Sequence, residues 1–284
     1  MSVPRIFDMT LRARRRDRAA PRFADHDFLY EAAAGEMLDR LTDVSRTFQD
    51  ALVIGAPSRT LPDALRKRGL NVAIADPGPV AAAMQAGPVI NEDEPLPFPA
   101  ASFDLILCCG TMESVNDVPG FLVQVRQILR PDGLFLAAFL GAGSLPGLRA
   151  ALLAADGDRP AQHIHPQIDV RSAGDLLSRA GFAMPVADVQ SLRVGYDGLF
   201  PLLADLRGMG AAQCLASAPP PLTRAGLMRA IDRFAADADA DGRIRERFEI
   251  VHMSGWRPDP SQPKPARRGS ATASLADALK AKPS

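Results

Sequence analysis

Several carboxylates in this chain directly follow short apolar runs, a placement that suggests chemistry. Asp76 closes the run Asn71-Val72-Ala73-Ile74-Ala75, and Glu92 and Asp93 come just after Val89-Ile90. At the end of a strand in an open parallel sheet, a carboxylate can accept both hydroxyls of a ribose. The alternative for Asp76 is a solvated turn acid before Pro77-Gly78. Glu92 or Asp93 could accept an adenine amine, with Leu96 and Phe98 as apolar walls; the alternative is an acidic surface loop. Gly55-Ala56-Pro57 follows another apolar run. Small residues there would let backbone N–H groups approach a cofactor, although Pro57 supplies no N–H. Cys109-Gly110-Thr111-Met112-Glu113 would lie at the reactive end of such a cofactor. Glu113 is the one candidate general base there, and Cys108 and Cys109 read as small core residues rather than nucleophiles. His163 and His165, two apart, could share a strand face, but no third ligand accompanies them, so no metal site is expected. They read instead as lid or supporting histidines, and His252 as structural.

Positioning these residues requires strands that end together. Short apolar runs at 51–54, 71–76, 89–90, 103–109 and 134–140 alternate with helical patterns at 61–68, 80–85 and 118–129. Strands apolar on both faces predict a parallel sheet covered on both sides, doubly wound and with its ligand site beyond the carboxyl ends of the strands. Ahead of it, 6–20 reads as a basic helix and 28–44 as an amphipathic one. Beyond Gly141 the pattern loosens. It gives a helix at 171–180, a strand at 185–194, helices at 196–209 and 223–236 that could cap the sheet, and a last strand at 245–256 that Trp256 would close. The expected organisation is a basic helical extension over 1–45, an α/β domain over 46–256 with a helical cap at about 195–240, and a flexible tail over 257–284 rich in Pro, Ser, Ala and Lys.

The 284 residues suit one large domain or a domain plus an insertion. Lys plus Arg equal Asp plus Glu at 33 each, so no whole-molecule field attracts nucleic acid. The charge is nevertheless uneven. Arg5, Arg12, Arg14, Arg15, Arg16, Arg18 and Arg22 crowd the start against Asp8 and Asp17. That run could lie on a membrane surface or an acidic partner, or form a solvated helix face. It lacks the interleaved aromatics of a nucleic-acid patch. Three cysteines without metal or disulfide spacing fit a reducing compartment. No run has the apolar length of a spanning helix, and no apolar core follows the arginines as in a secretory signal.

Taken in order, the strand–glycine loop, the strand–Asp unit, Leu96-Pro97-Phe98, Ser102-Phe103-Asp104 and Leu129-Arg130-Pro131-Asp132-Gly133 resemble class I methyltransferases that use S-adenosyl-L-methionine (SAM). The resemblance implies a Rossmann-like α/β fold with a seven-stranded, mostly parallel sheet and helices on both faces. A longer set of motifs is similar to the bacterial form of the methyltransferase-like assembly factor of respiratory complex I. It comprises Ile6-Phe7-Asp8 with the arginine cluster, Val115-Asn116-Asp117-Val118-Pro119, His163-Ile164-His165-Pro166, Leu176 through Phe182, Asp205-Leu206-Arg207-Gly208-Met209-Gly210, and the tail run Ala266 through Thr272. That resemblance implies SAM binding and arginine hydroxylation on a complex I subunit. It also implies a cytoplasmic protein whose basic N-terminus could touch the inner membrane. SAM would be held by Gly55, Ala56, Asp76, Pro77, Glu92, Asp93, Leu96, Cys109 and Gly110. The chain departs from the family's D-x-G-x-G loop, with Val53, Gly55 and Pro57 at those positions, and from its histidine–tryptophan pair, with Glu113 and Ser114. The acids are retained while the loop under the methionine part is altered, so SAM could be held weakly or not at all. Two other readings stay open: a non-catalytic assembly protein, and a methyltransferase acting on a quinone or acyl-carrier substrate, which rests on fold analogy alone.

Overall fold

A computed structural model describes residues 5–55 and 57–262. The helices are α1 (Met9–Ala19), α2 (Phe28–Thr42), α3 (Thr60–Lys67), α4 (Pro79–Met84), α5 (Val118–Ile128), α6 (Pro146–Asp156), α7 (Val170–Arg179), α8 (Leu199–Gly208) and α9 (Arg224–Ala235). The strands are β1 (Asp50–Ile54), β2 (Asn71–Ala75), β3 (Phe103–Cys109), β4 (Leu129–Leu140), β5 (Ala183–Tyr196) and β6 (Ile244–Trp256). They form one sheet in the order β2-β1-β3-β4-β6-β5. The first four strands are parallel, and β6 runs antiparallel to both β4 and β5.

The sheet has six strands among the described residues, one fewer than expected. Val89 makes only an isolated parallel bridge to Asp76. Two apolar residues preceded by Gly87-Pro88 are too short a run to extend a ladder, and a proline has no N–H to give it. The bridge still has a use. Asp76 N–H donates to the Pro88 carbonyl at 3.3 Å, and Ile90 N–H donates to the Asp76 carbonyl at 3.1 Å, so the acid is held by its backbone on both sides.

Burial on both faces explains the unbroken apolar strands. In β3, Ile106 and Cys108 join a core with Phe121, Leu122 and Val125 of α5 and Leu177 of α7. The alternate residues Leu105, Leu107 and Cys109 join a second core with Ala34 and Met37 of α2 and Leu61 and Leu65 of α3. α5 begins where the Asp117 side chain accepts the Gly120 N–H at 2.9 Å, with Pro119 in the first turn. A third core lies beyond β4, where α6, α8 and α9 pack through Leu148, Leu202, Leu206 and Phe234 against Phe248 of β6. β5 runs on through Tyr196, so α8 starts later than the sequence pattern suggests. Trp256 stacks on Phe48 at 6.4 Å, and buried His252 faces Gln190.

Glu246 ties the third core to the sheet. It is 1% exposed, and its two oxygens accept the Gly147 and Leu148 N–H groups at 3.1 and 2.7 Å. A strand carboxylate thus caps the N-terminus of α6. Glu246→Ala would leave buried donors unmatched and should lower unfolding free energy by about 2–3 kcal/mol in urea titration.

Candidate functional site

Parallel pairing brings the carboxyl ends of β1 to β4 to one edge, at Gly55, Asp76, Gly110 and Gly141. Sheet order reverses between β1 and β3, the position where this architecture places ligands. Gly55 adopts φ +74° and donates its N–H to the Ala75 carbonyl at 2.9 Å. A Cβ there would lie 2.3 Å from Thr111 Cγ2 and 2.4 Å from the Cys109 carbonyl oxygen. The packing of β1 against the end of β3 therefore requires a glycine whether or not a cofactor binds. Ala56 lies outside the described residues.

The first twelve described residues reach this edge in a way the sequence did not suggest. Ile6 and Phe7 donate their N–H groups to Asn116 Oδ1, each at 2.8 Å, and the Asn116 amide donates to the Phe7 carbonyl. Phe7 also bridges antiparallel to Leu215. From this pinned strap, Asp8 caps α1 by accepting the Leu11 N–H. Residues four apart on a helix share a face, and the face carrying Arg12 and Arg16 points inward. Arg12 makes a forked pair with Glu92, at 2.6 and 2.9 Å, and donates to the Thr111 carbonyl at 3.0 Å. Arg16 makes a forked pair with Asp76, at 3.0 and 2.6 Å, and donates to the Gly110 carbonyl at 3.0 Å. Both carboxylates are fully buried, and the arginine side chains are 4% and 10% exposed. Burial works against the charge of Arg16, but the Asp76 carboxylate more than offsets it and raises its pKa. Of the basic run, Arg5, Arg14, Arg18 and Arg22 face solvent.

Asp76 and Glu92 thus come together at the strand ends, each with an arginine on it. Asp76 also accepts the Gly78 N–H at 2.8 Å, next to buried Pro77. Asp93 is turned elsewhere: it is exposed and binds Asn116, which steadies the strap. Leu96 is buried in the core against α5, its N–H on Gln124. Cys108 and Cys109 are buried, with the Cys108 thiol pushed up to about 12 by burial, which removes the thiolate a nucleophile needs. The Gly110 carbonyl is taken by Arg16. S-adenosyl-L-methionine does not fit this arrangement of side chains. In the placement that the resemblance implies, its ribose and adenine would meet two carboxylates that the guanidinium groups already hold, and Pro57 offers no N–H.

A cavity of about 400 Å³ opens beside this edge. Leu145, Leu148, Leu203, Leu206 and Leu222 make much of its wall, and Arg15, Tyr30, Glu113 and His163 line it too. Among the described residues, Arg15 Nη1, Tyr30 Oη and Glu113 Oε2 are buried without a hydrogen-bond partner. Burial pushes the Glu113 carboxyl above the usual range and the Tyr30 hydroxyl well above its own. His163 Nε2 lies 2.8 Å from Asp156 Oδ1. Burial opposes the charge of Asp156, but the Ala161 N–H and His163 hold it below the usual carboxylate range. His165 accepts the Cys214 N–H through Nε2 at 2.7 Å, and burial, reinforced by Arg15 and Arg12, takes it down to about 4. It is therefore a neutral structural acceptor, and no cluster of metal ligands occurs among the described residues. Sequence reading missed the inward face of α1 and the Asp156–His163 pair.

The comparisons agree with this frame. A methyltransferase-domain family model matches residues 25–185. The mitochondrial arginine hydroxylase NDUFAF5 of Danio rerio is 34% identical over 97% of this chain and 90% of its own length. The chain belongs to the NDUFAF5 arginine hydroxylase family. The Homo sapiens member is 32% identical over 96% of this chain and 83% of its own. A malonyl-[acyl-carrier protein] O-methyltransferase of Laribacter hongkongensis is 33% identical over 58% of this chain and 54% of its own length. In structure, YcgJ of Bacillus subtilis has a TM-score of 0.53 at 18% identity, covering 81% of this chain and 99% of its own, which shows the shared fold. No described helix is long and apolar enough to cross a membrane.

The arginine pairs have a testable energetic signature. Arg16→Met alone strands the buried Asp76 charge and should cost about 3–5 kcal/mol, whereas the double change Arg16→Met/Asp76→Leu should regain most of that. Urea unfolding of the three proteins measures it. Gly55→Ala should also be destabilising, by about 2 kcal/mol or more, since both φ and the Cys109 carbonyl oppose it.

Proposed function

We propose that this protein modifies an arginine side chain of a protein partner during assembly of respiratory complex I, as a hydroxylase of the NDUFAF5 type. The observation carrying the reading is similarity at 32–34% identity along nearly the whole chain to proteins named arginine hydroxylase. The cavity supports it through Glu113. Arg12 is matched by Glu92 and Arg16 by Asp76, which leaves the unpartnered Glu113 Oε2 to receive an entering guanidinium. Leucine walls would hold the aliphatic stem of the substrate side chain. His163, fixed by Asp156, would line the cavity beside the held group as a hydrogen-bonding partner; the inserted oxygen atom would come from dioxygen, with an external two-electron donor reducing its second atom to water. The cytoplasm is the proposed site of action. The exposed Arg5, Arg14, Arg18 and Arg22 would be available to an anionic membrane surface.

A second reading has an observation of its own. Arginines on both acids at the strand ends favour an assembly protein that works without chemistry on this fold.

Mass spectrometry of complex I from a host lacking the gene separates the two. The enzymatic reading expects an arginine heavier by one oxygen when the wild-type gene is restored, and loss of that species with Glu113→Gln. An oxygenated arginine that persists in the gene-deleted host would contradict the enzymatic reading. Full complex I assembly on restoring the wild-type gene, with no oxygenated arginine formed, would support the second.

A further inference from the structure

The disagreement between the site and the cofactor of its fold has a definite geometry. At the carboxyl ends of β1 to β3, the two acids that could grip a nucleoside are Asp76 and Glu92, both fully buried. Each is engaged through both oxygens by a forked guanidinium. The same two guanidinium groups also take the Gly110 and Thr111 carbonyls. They therefore fill hydrogen-bonding positions on both sides of the edge.

This docking is built in rather than a chance contact of long side chains. The Asn116–Asp93 anchor fixes the start of α1, and Asp17 accepts the Val80 N–H at 2.7 Å. Gly78 is the residue that lets the helix approach: a Cβ there would meet Asp17 Oδ1 at 3.0 Å and Arg16 Cβ at 3.1 Å. The cavity lined by Arg12, Arg16, Gly110 and Glu113 remains open meanwhile, so the acids are occupied while space beside the guanidinium groups is free.

We infer that the guanidinium groups of Arg12 and Arg16 are the resident occupants of the nucleoside subsite, so that α1 in its docked form and an adenosine-bearing ligand exclude each other. The carboxylates can serve one partner at a time. A nucleoside would offer Asp76 two neutral hydroxyl donors in exchange for a charge-assisted fork, a poorer bond for a buried carboxylate. The docked helix is then a self-made inhibitor, and withdrawal of its two arginines is the event that admits a cofactor. The inference rests on the fold and on these pairs, not on arginine as the acceptor, so a failed hydroxylation assay leaves it standing.

Calorimetry with S-adenosylhomocysteine on the full chain tests it, comparing wild type with Arg16→Met, Arg16→Lys, Arg12→Met and Arg14→Met. Arg16→Met and Arg12→Met should bind at least ten-fold more tightly than wild type. Arg16→Lys keeps the charge that secures folding but gives up the fork, and should gain several-fold. Arg14→Met, on the solvent face of the same helix, should match wild type. The inference is overturned if no Arg12 or Arg16 variant binds more tightly than wild type, because the arginines would then hold the ligand or be irrelevant to it. A gain shared equally by Arg14→Met would overturn it as well, since that would reflect bulk charge rather than the two pairs. Should the methionine variants fail to fold, Arg16→Lys against Arg14→Met decides alone.

Discussion

Two buried arginine–carboxylate forks, Arg12–Glu92 and Arg16–Asp76, are the interactions on which the rest of the site depends. A buried carboxylate must be matched by a counter-charge and by donors, or it destabilises the fold. In an enzyme that holds a nucleotide tightly, the ligand helps to meet that requirement. Here α1 meets it from within the chain. The fold is thus complete without a ligand, and a ligand must compete with groups that are already well bonded.

The pairs tie distant parts of the sequence into one structure. The Phe7 strap is fixed by Asn116, more than a hundred residues away, and Asn116 is steadied by Asp93. Asp93 and Glu92 are adjacent, so one loop carries both an anchor for the strap and a counter-charge for the helix. The parallel sheet brings that loop beside Asp76 and Gly110, and the packing of Gly55 on Cys109 sets the distance between β1 and β3. The leucine-lined cavity adjoins the same edge, with Arg12, Arg16 and Gly110 in its wall.

Much of the fold was legible because strands buried on both faces need unbroken apolar runs, as in Leu105-Ile106-Leu107-Cys108-Cys109. The helix expected over 118–129 forms over Val118–Ile128, with Asp117 as its cap. Val89-Ile90 misled because a short apolar run cannot reveal whether a ladder forms; neighbouring Pro88 has no N–H to extend one. Asp76 and Glu92 stood out by their position after strands. The arginines opposite them did not, because a dense basic run reads as a solvated face unless buried acids are known to await it. The spacing of Arg12 and Arg16 was the available signal, and its meaning depended on contacts 60 and 80 residues away. Asp156–His163 was hidden because its acid belongs to the end of α6 and its histidine to the loop that follows.

The most direct measurement of the central claim is a crystal structure of the full chain grown with S-adenosylhomocysteine. The account predicts ribose hydroxyls on Asp76 and the adenine edge at Glu92, with the guanidinium groups of Arg12 and Arg16 withdrawn from both. Adenosine seated at this edge with both forks intact would contradict it.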